Sequence, residues 1–160
     1  MIAFKEWQVV CEALAAGRQT VILRKGGIHE GREGFAWAHE RFALFPTRFH
    51  AQSDGVRAED WSRFGEDGLT EWSEGDLVPV RWECVVTRAV TLEDWSEVEA
   101  LEPQHIWTKE TVRERFDWQM KGMKGQSIHA AFVETRELAE PLELTYTKGK
   151  YGGCRSWLEI

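Results

Sequence analysis

Apolar and polar residues alternate most clearly from Leu77 onward, where Val78, Val80, Trp82, Cys84 and Val86 fall on one side of an extended chain. Pro79, Arg81, Glu83, Val85 and Thr87 fall on the other. Successive side chains of a strand point to opposite faces, so this stretch predicts a long strand with one strongly apolar face. The N-terminal pattern has a different period. Phe4, Trp7, Cys11 and Leu14 recur at three- and four-residue steps, which predicts an amphipathic helix as the first element, with Gly17 as its left-handed C-terminal cap. Gln19 to Arg24 is short, apolar and β-branched and runs into Gly26-Gly27, the pattern of a strand entering a turn. A second strand is predicted over Glu40 to Phe45, apolar on both faces, with Pro46 ending it because proline has no N–H to donate.

Residues 52 to 76 are rich in Asp, Glu, Ser and Gly, with Trp61, Phe64, Leu69 and Trp72 as intermittent anchors. They read as an ordered surface excursion with short helical turns. Thr91-Leu92-Glu93-Asp94 resembles a capping box, with Asp in place of the usual Glu, and predicts a helix through Trp95, Val98 and Leu101 that stops before Pro103. Thr108 is placed to cap the next helix, where Trp107 and Val112 occupy the two positions of a hydrophobic staple and Phe116 continues the apolar stripe. Ser127 to Thr135, Leu142 to Tyr146 and Ser156 to Ile160 read as strands, separated by Pro141 and by a glycine turn over Gly149 to Gly153. Strands mixed with three or more flanking helices, without regular βαβ alternation, predict an α+β fold. Its expected form is a single domain over residues 1–160 around a curved, mainly antiparallel sheet or a partly open β-barrel.

Composition refines this picture at three points. A chain of 160 residues with 42% apolar content can bury a core without metals or disulfides. The nine tryptophans are spread along the chain, which favours packing over a single aromatic platform. The three cysteines, Cys11, Cys84 and Cys154, are isolated and odd in number, the usage of a reducing compartment. The first residues carry Lys5 and Glu6 where a signal peptide needs an apolar run, and no segment reaches membrane-spanning length, so a soluble cytoplasmic protein is expected.

The formal net charge of -7 is unevenly distributed. Residues 58 to 102 hold 3 Lys or Arg against 13 Asp or Glu, so the acid is concentrated in the middle and the N-terminal third is locally basic. That third contains the mixture a core does not require. In Arg24-Lys25-Gly26-Gly27 two cations precede two glycines whose N–H groups are uncovered, which suits close approach to an anion. If the two strands flanking this turn pair, Arg48 and His50 converge on the same place. The predicted ligand-binding set is therefore Arg24, Lys25, Gly26, Gly27, Arg48 and His50, against the alternative of a hairpin turn with solvated cations. No Walker loop or Gly-x-Gly-x-x-Gly fingerprint is present. His29, His39 and His50, with Glu30, Glu33 and Glu40 nearby, supply ligand types for a divalent metal, but their spacing matches no standard signature and no cofactor is expected. The candidates for acid–base or hydrolytic work are His29, Glu30 and His50. Cys154 follows Gly152-Gly153 and precedes Arg155, with no histidine close by in sequence to serve as a base. His129 lies in an apolar strand and reads as a hydrogen-bonded core histidine.

Several separated segments look familiar as a set: Phe4-Lys5-Glu6-Trp7, Leu23-Arg24-Lys25-Gly26-Gly27-Ile28, Leu44-Phe45-Pro46-Thr47 with His50, and Tyr151-Gly152-Gly153-Cys154-Arg155-Ser156-Trp157. Together they resemble the bacterial family called domain of unknown function 1802, which brings no established activity with it. The helix, Gly17 and the run Thr20-Val21-Ile22-Leu23-Arg24 also resemble the opening of ASCH domains, members of the PUA-like superfamily, whose motif reads Gly-x-Lys-x-x-Glu-x-Arg. Gly17 and Arg24 match the ends of that motif. Gln19 stands where it has Lys and Ile22 where it has Glu, so the residues that support amide hydrolysis in some relatives are missing. PUA-like domains commonly bind RNA or modified bases, and the resemblance implies a nucleic-acid or nucleotide partner here.

Three function classes follow. A cytoplasmic binding module for an anionic ligand is preferred over a hydrolase or nuclease acting on a phosphate or amide bond, metal-assisted or not. The third is a non-catalytic partner protein that uses the acidic 58 to 102 segment.

Overall fold

The computed structural model describes residues 1–25, 37–118 and 126–160. Six strands form one sheet in the order β2-β5-β4-β3-β1-β6. They are β1 (Ile2–Trp7), β2 (Val21–Arg24), β3 (Arg41–Thr47), β4 (Leu77–Leu92), β5 (Ile128–Thr145) and β6 (Trp157–Glu159). Only β1 and β3 run parallel; every other pairing is antiparallel. The sheet curls into a half-barrel. Arg24, at the end of the edge strand β2, donates to the carbonyl of Lys5 on β1, although three strands separate β2 from β1 in the sheet order. Five helices accompany it among the described residues: α1 (Gln8–Ala15), α2 (Ala58–Phe64), α3 (Trp95–Glu99), α4 (Lys109–Asp117) and the single turn α5 (Lys148–Tyr151). None is long and apolar enough to cross a membrane. The α+β architecture and the partly open barrel agree with the sequence expectation.

The sheet separates two cores. Phe4, Phe42, Leu44 and Cys84 point to the larger one, where they meet Val9, Val10 and Leu14 of α1 and Val112 and Phe116 of α4. Ala3, Ala43 and Phe45 alternate to the other face and pack with Val78, Val80, Leu138, Tyr151 and Leu158. Covering both faces of β1 and β3 explains why residues 3 to 6 are all buried, including Lys5 and Glu6.

That burial also corrects the first predicted helix. Phe4 and Trp7 belong to β1, and the helix starts only at Gln8. The three- and four-residue steps match a helical face by coincidence. β1 is hydrogen-bonded to β3 on one side and to β6 on the other, partners about 40 and 155 residues away that a local period cannot register. Gly17 does adopt the left-handed conformation, with φ 71°.

Two prolines behave differently from expectation. Pro46 lies inside β3, in register with Glu6. β4 pairs with β3 only over Arg41 to Ala43, so the far edge of the strand needs no donor at position 46. Pro141 does not separate two strands either: β5 is continuous, and residues 138 to 141 bulge opposite the single Arg81 of β4. A bulge interrupts the ladder locally and accommodates a residue without an N–H.

β4 runs further than its alternation suggests, through Leu92, so Thr91 and Leu92 are strand and the cap of α3 is Asp94, whose carboxylate accepts from Ser96 N at 2.8 Å. For α4 the predicted cap holds, since Thr108 Oγ1 accepts from Thr111 N at 3.2 Å with Trp107 and Val112 buried beneath it. His129 is half-buried on β5, with Nδ1 2.9 Å from Thr91 Oγ1.

Candidate anion-binding cleft

The gap where the half-barrel fails to close is an open cleft of about 670 Å³. Five parts of the chain frame it, four of them Arg24 and Lys25 at the end of β2, Trp7 at the end of β1, the first two turns of α4, and Cys154 and Ser156 before β6. A 3₁₀ turn over Gln52–Gly55 supplies Asp54 and Gly55. Trp7 is fixed edge-on between Trp107 and Phe49, each ring centroid 4.6 Å away.

Three cations meet here. Besides its bond to Lys5, the Arg24 guanidinium lies 4.7 Å from the Phe4 ring centroid, and its buried Nε has no hydrogen-bond partner. Lys25 Nζ lies 5.0 Å from the Trp118 ring. Arg115 reaches in from α4, donates to Leu23 O at 3.2 Å and stacks 3.8 Å from the Trp107 ring. Among the described residues, none of the three forms an ion pair with a carboxylate.

Their electrostatics agree with that geometry. Burial pushes the Arg115 pKa down to about 10; Glu6 opposes the shift and Arg24 adds to it, and the group stays charged at neutral pH. Lys25 is largely exposed, yet partial burial of its side chain lowers its pKa, Arg115 lowers it further and Glu114 opposes both. Arg24 thus raises the cost of charging Arg115, and Arg115 that of charging Lys25, and an incoming anion would relieve that repulsion. Glu110, Glu114 and Asp54 also line the cleft, so its walls are mixed in sign.

Arg24 and Lys25 are thus brought together, whereas Arg48 and His50 lie apart from them. The pairing expected to unite them does not occur: β2 pairs with β5, and two strands stand between β2 and β3. A two-strand hairpin was the shortest solution for the sequence, but β2 pairs edge to edge with the distant β5 instead. Arg48 lies 3.6 Å from the Trp72 ring and donates to Gln8 Oε1 at 2.6 Å. It lines a separate groove of about 440 Å³ with Glu12, Glu66 and Arg81 and, on its other side, a small hollow shared with Lys5 and Trp72. His50 is exposed in the turn after β3, next to Ala51 at the cleft edge. His39 is half-buried, its ring edge-on to Trp157 at 4.9 Å. Gly26, Gly27, His29, Glu30 and Glu33 lie outside the described residues. Among the described residues no group of three His, Cys, Asp or Glu side chains is placed to hold a metal ion.

The sequence reading missed Arg115. A signal was present, because Thr108, Thr111 and Arg115 follow one another at three and four residues and all line the cleft. Their stripe flanks the apolar one of Val112 and Phe116, which is the stronger signal in the sequence.

A family model described as domain of unknown function (DUF1802) matches residues 3–160. No curated protein sequence matches the chain. Two solved structures share the fold. A crystal structure of ASCH from Zymomonas mobilis superimposes with a TM-score of 0.54 at 11% identity, covering 99% of this chain and 86% of that one. A serine-to-alanine mutant of the same protein gives 0.56 at 12% identity, covering 99% and 87%. The half-barrel is thus an ASCH-like, PUA-like fold, and at this identity the likeness concerns the fold alone.

Proposed function

This chain belongs to the DUF1802 family, whose description assigns no activity, and we propose that its cleft binds single-stranded nucleic acid through the phosphates. The observation that carries this reading is the convergence of Arg24, Lys25 and Arg115 without a carboxylate in ion-pair contact among the described residues. Guanidinium and ammonium groups held by carbonyls and aromatic faces keep their positive charge available for a ligand, and desolvation strengthens what they offer it. A cleft of about 670 Å³ admits a nucleotide and its neighbouring phosphate, and the half-buried Trp7 presents a ring to it. The overall charge of -7 opposes indiscriminate binding to polyanions, so engagement is confined to this local patch. The resemblance to PUA-like domains points to the same ligand class.

The test is fluorescence anisotropy with labelled single-stranded RNA across a salt series. Each phosphate neutralised on a single strand contributes about −0.7 to the slope of log K against log salt, so three cations give a slope near −2. Lys25 is the position to change, because Arg24 and Arg115 also bond to backbone carbonyls. Lys25→Ala is expected to weaken binding roughly fivefold and to reduce the slope by about 0.7. Absence of binding, or binding with no salt dependence, rejects the reading.

A further inference from the structure

Next to the cleft lies a second, smaller hollow of about 150 Å³ whose chemistry differs from it. Phe45 and Tyr151 form one wall, with ring centroids 5.1 Å apart, and Tyr146 follows 6.1 Å from Tyr151. Trp72 stands at the mouth, fixed by a 2.8 Å bond from Nε1 to Pro46 O. Two cations stand among these aromatics, Arg48, stacked 3.6 Å from the Trp72 ring, and Lys5. Lys5 stands in register with Phe45 on the same face of the sheet, exposes 9% of its surface and lines the hollow. Its ammonium donates to Gly153 O at 2.9 Å and forms no ion pair among the described residues. An ammonium carries three donors, and a buried one without a counter-charge is costly to keep. Burial lowers the Lys5 pKa, and Arg155 lowers it further.

We infer that this hollow is a base subsite. It takes a pyrimidine with a lactam edge, uracil or thymine, from the strand whose phosphates the cleft holds; this rests on the cleft reading above. Lys5 donates to the ring carbonyl at depth, and the exposed Glu71 at the rim accepts from the adjacent ring N–H. Cytosine offers an amino group and an unprotonated ring nitrogen on that edge, which reverses both partners. The aromatic walls and the Glu71 carboxylate oppose phosphate, and Arg48, which also lines the hollow, is engaged by Gln8 Oε1 and the Trp72 ring. The small volume favours one six-membered ring over a fused pair.

The two sites are neighbours along the chain. Gly153 lines the hollow and Cys154 lines the cleft, with Cα atoms about 3.8 Å apart. The chain can pass so close because of its glycines. Gly153 has φ 78°, and a Cβ on Gly152 would lie 2.5 Å from the Lys148 carbonyl oxygen.

The experiment compares equal-length labelled oligomers of uridylate, thymidylate, cytidylate and adenylate, titrated by anisotropy into the wild type, Lys5→Gln and Glu71→Ala. The wild type is expected to bind uridylate or thymidylate about tenfold more tightly than the other two, the better of the pair identifying whether RNA or DNA is the source. Lys5→Gln reduces that preference toward unity while salt-dependent binding of all four persists. Glu71 is exposed, so Glu71→Ala tests the same ratio without disturbing the core. Equal binding of all four oligomers, or a preference unchanged in both variants, overturns the subsite and leaves the cleft reading standing. No binding of any oligomer overturns the cleft reading itself.

Discussion

Two groups of cations in this protein have opposite fates. Arg18 and Arg57 converge on Asp60, at 3.0 and 3.1 Å, and Arg41 and Arg136 converge on Glu83, at 2.8 and 2.7 Å. Arg24, Lys25 and Arg115 instead rest on backbone carbonyls and aromatic rings. The first group is consumed by the fold; the second keeps its charge facing a cleft. Both neutralising carboxylates come from the acidic middle of the chain, residues 58 to 102. The acid excess there is therefore partly internal counter-charge for arginines recruited from both sides of it. Counting charges along the sequence could not have separated the two groups.

The largest expected effect comes from breaking the neutralised group. Asp60 exposes 5% of its side chain, and Asp60→Ala strands two partly buried guanidiniums. Removing one partner of a buried pair typically costs about 3 kcal/mol or more, so urea unfolding should show a loss of that size. A loss below about 1 kcal/mol would mean that the network is replaceable by solvent.

The same region carries a pH dependence. His105 is buried beside Arg57, and its pKa is pushed down to about 4 by burial first, then by Arg57, Arg115 and Arg18 against Asp60. Geometry agrees, since Nδ1 accepts from Trp107 N at 3.2 Å and must be unprotonated to do so. The unfolded chain takes up this proton near pH 6.5 and the folded chain only near 4. Stability is therefore fully present above pH 6.5 and falls as pH drops through that window, by up to roughly 3 kcal/mol. Denaturation midpoints measured between neutral pH and about pH 4 should decline less steeply in His105→Gln than in the wild type.

The cleft group should respond the other way. Lys25→Ala is expected to change stability by less than about 0.5 kcal/mol while weakening nucleic-acid binding roughly fivefold. A comparable loss of stability would place Lys25 with the structural cations. The smallest effect on the salt slope is expected at Arg48, which Gln8 and the Trp72 ring hold between a separate groove and the hollow. Arg48→Ala should leave the salt slope of cleft binding unchanged, whereas a drop of about 0.7 would extend the phosphate path to that groove.

The sequence by itself determined those features that are governed by a few adjacent residues. The long strand over β4 followed from side-chain alternation, the start of α4 from the Thr108 hydroxyl and its staple, and the end of α1 from a glycine able to adopt positive φ. It also contained Arg24 and Lys25 as candidates, since cations beside a strand end are visible locally. The tertiary structure decided the rest. β1 is a strand because distant partners hydrogen-bond both of its edges, and Pro46 and Pro141 are tolerated because register leaves their missing donors unneeded. Arg115 joins the cleft across 92 positions to the carbonyl of Leu23, and Arg48 is excluded because β5 and β4 take the places between β2 and β3. Local preference is set by backbone sterics and neighbouring side chains, whereas which strands share hydrogen bonds depends on burying the whole apolar surface at once, and only that arrangement fixes which charges meet.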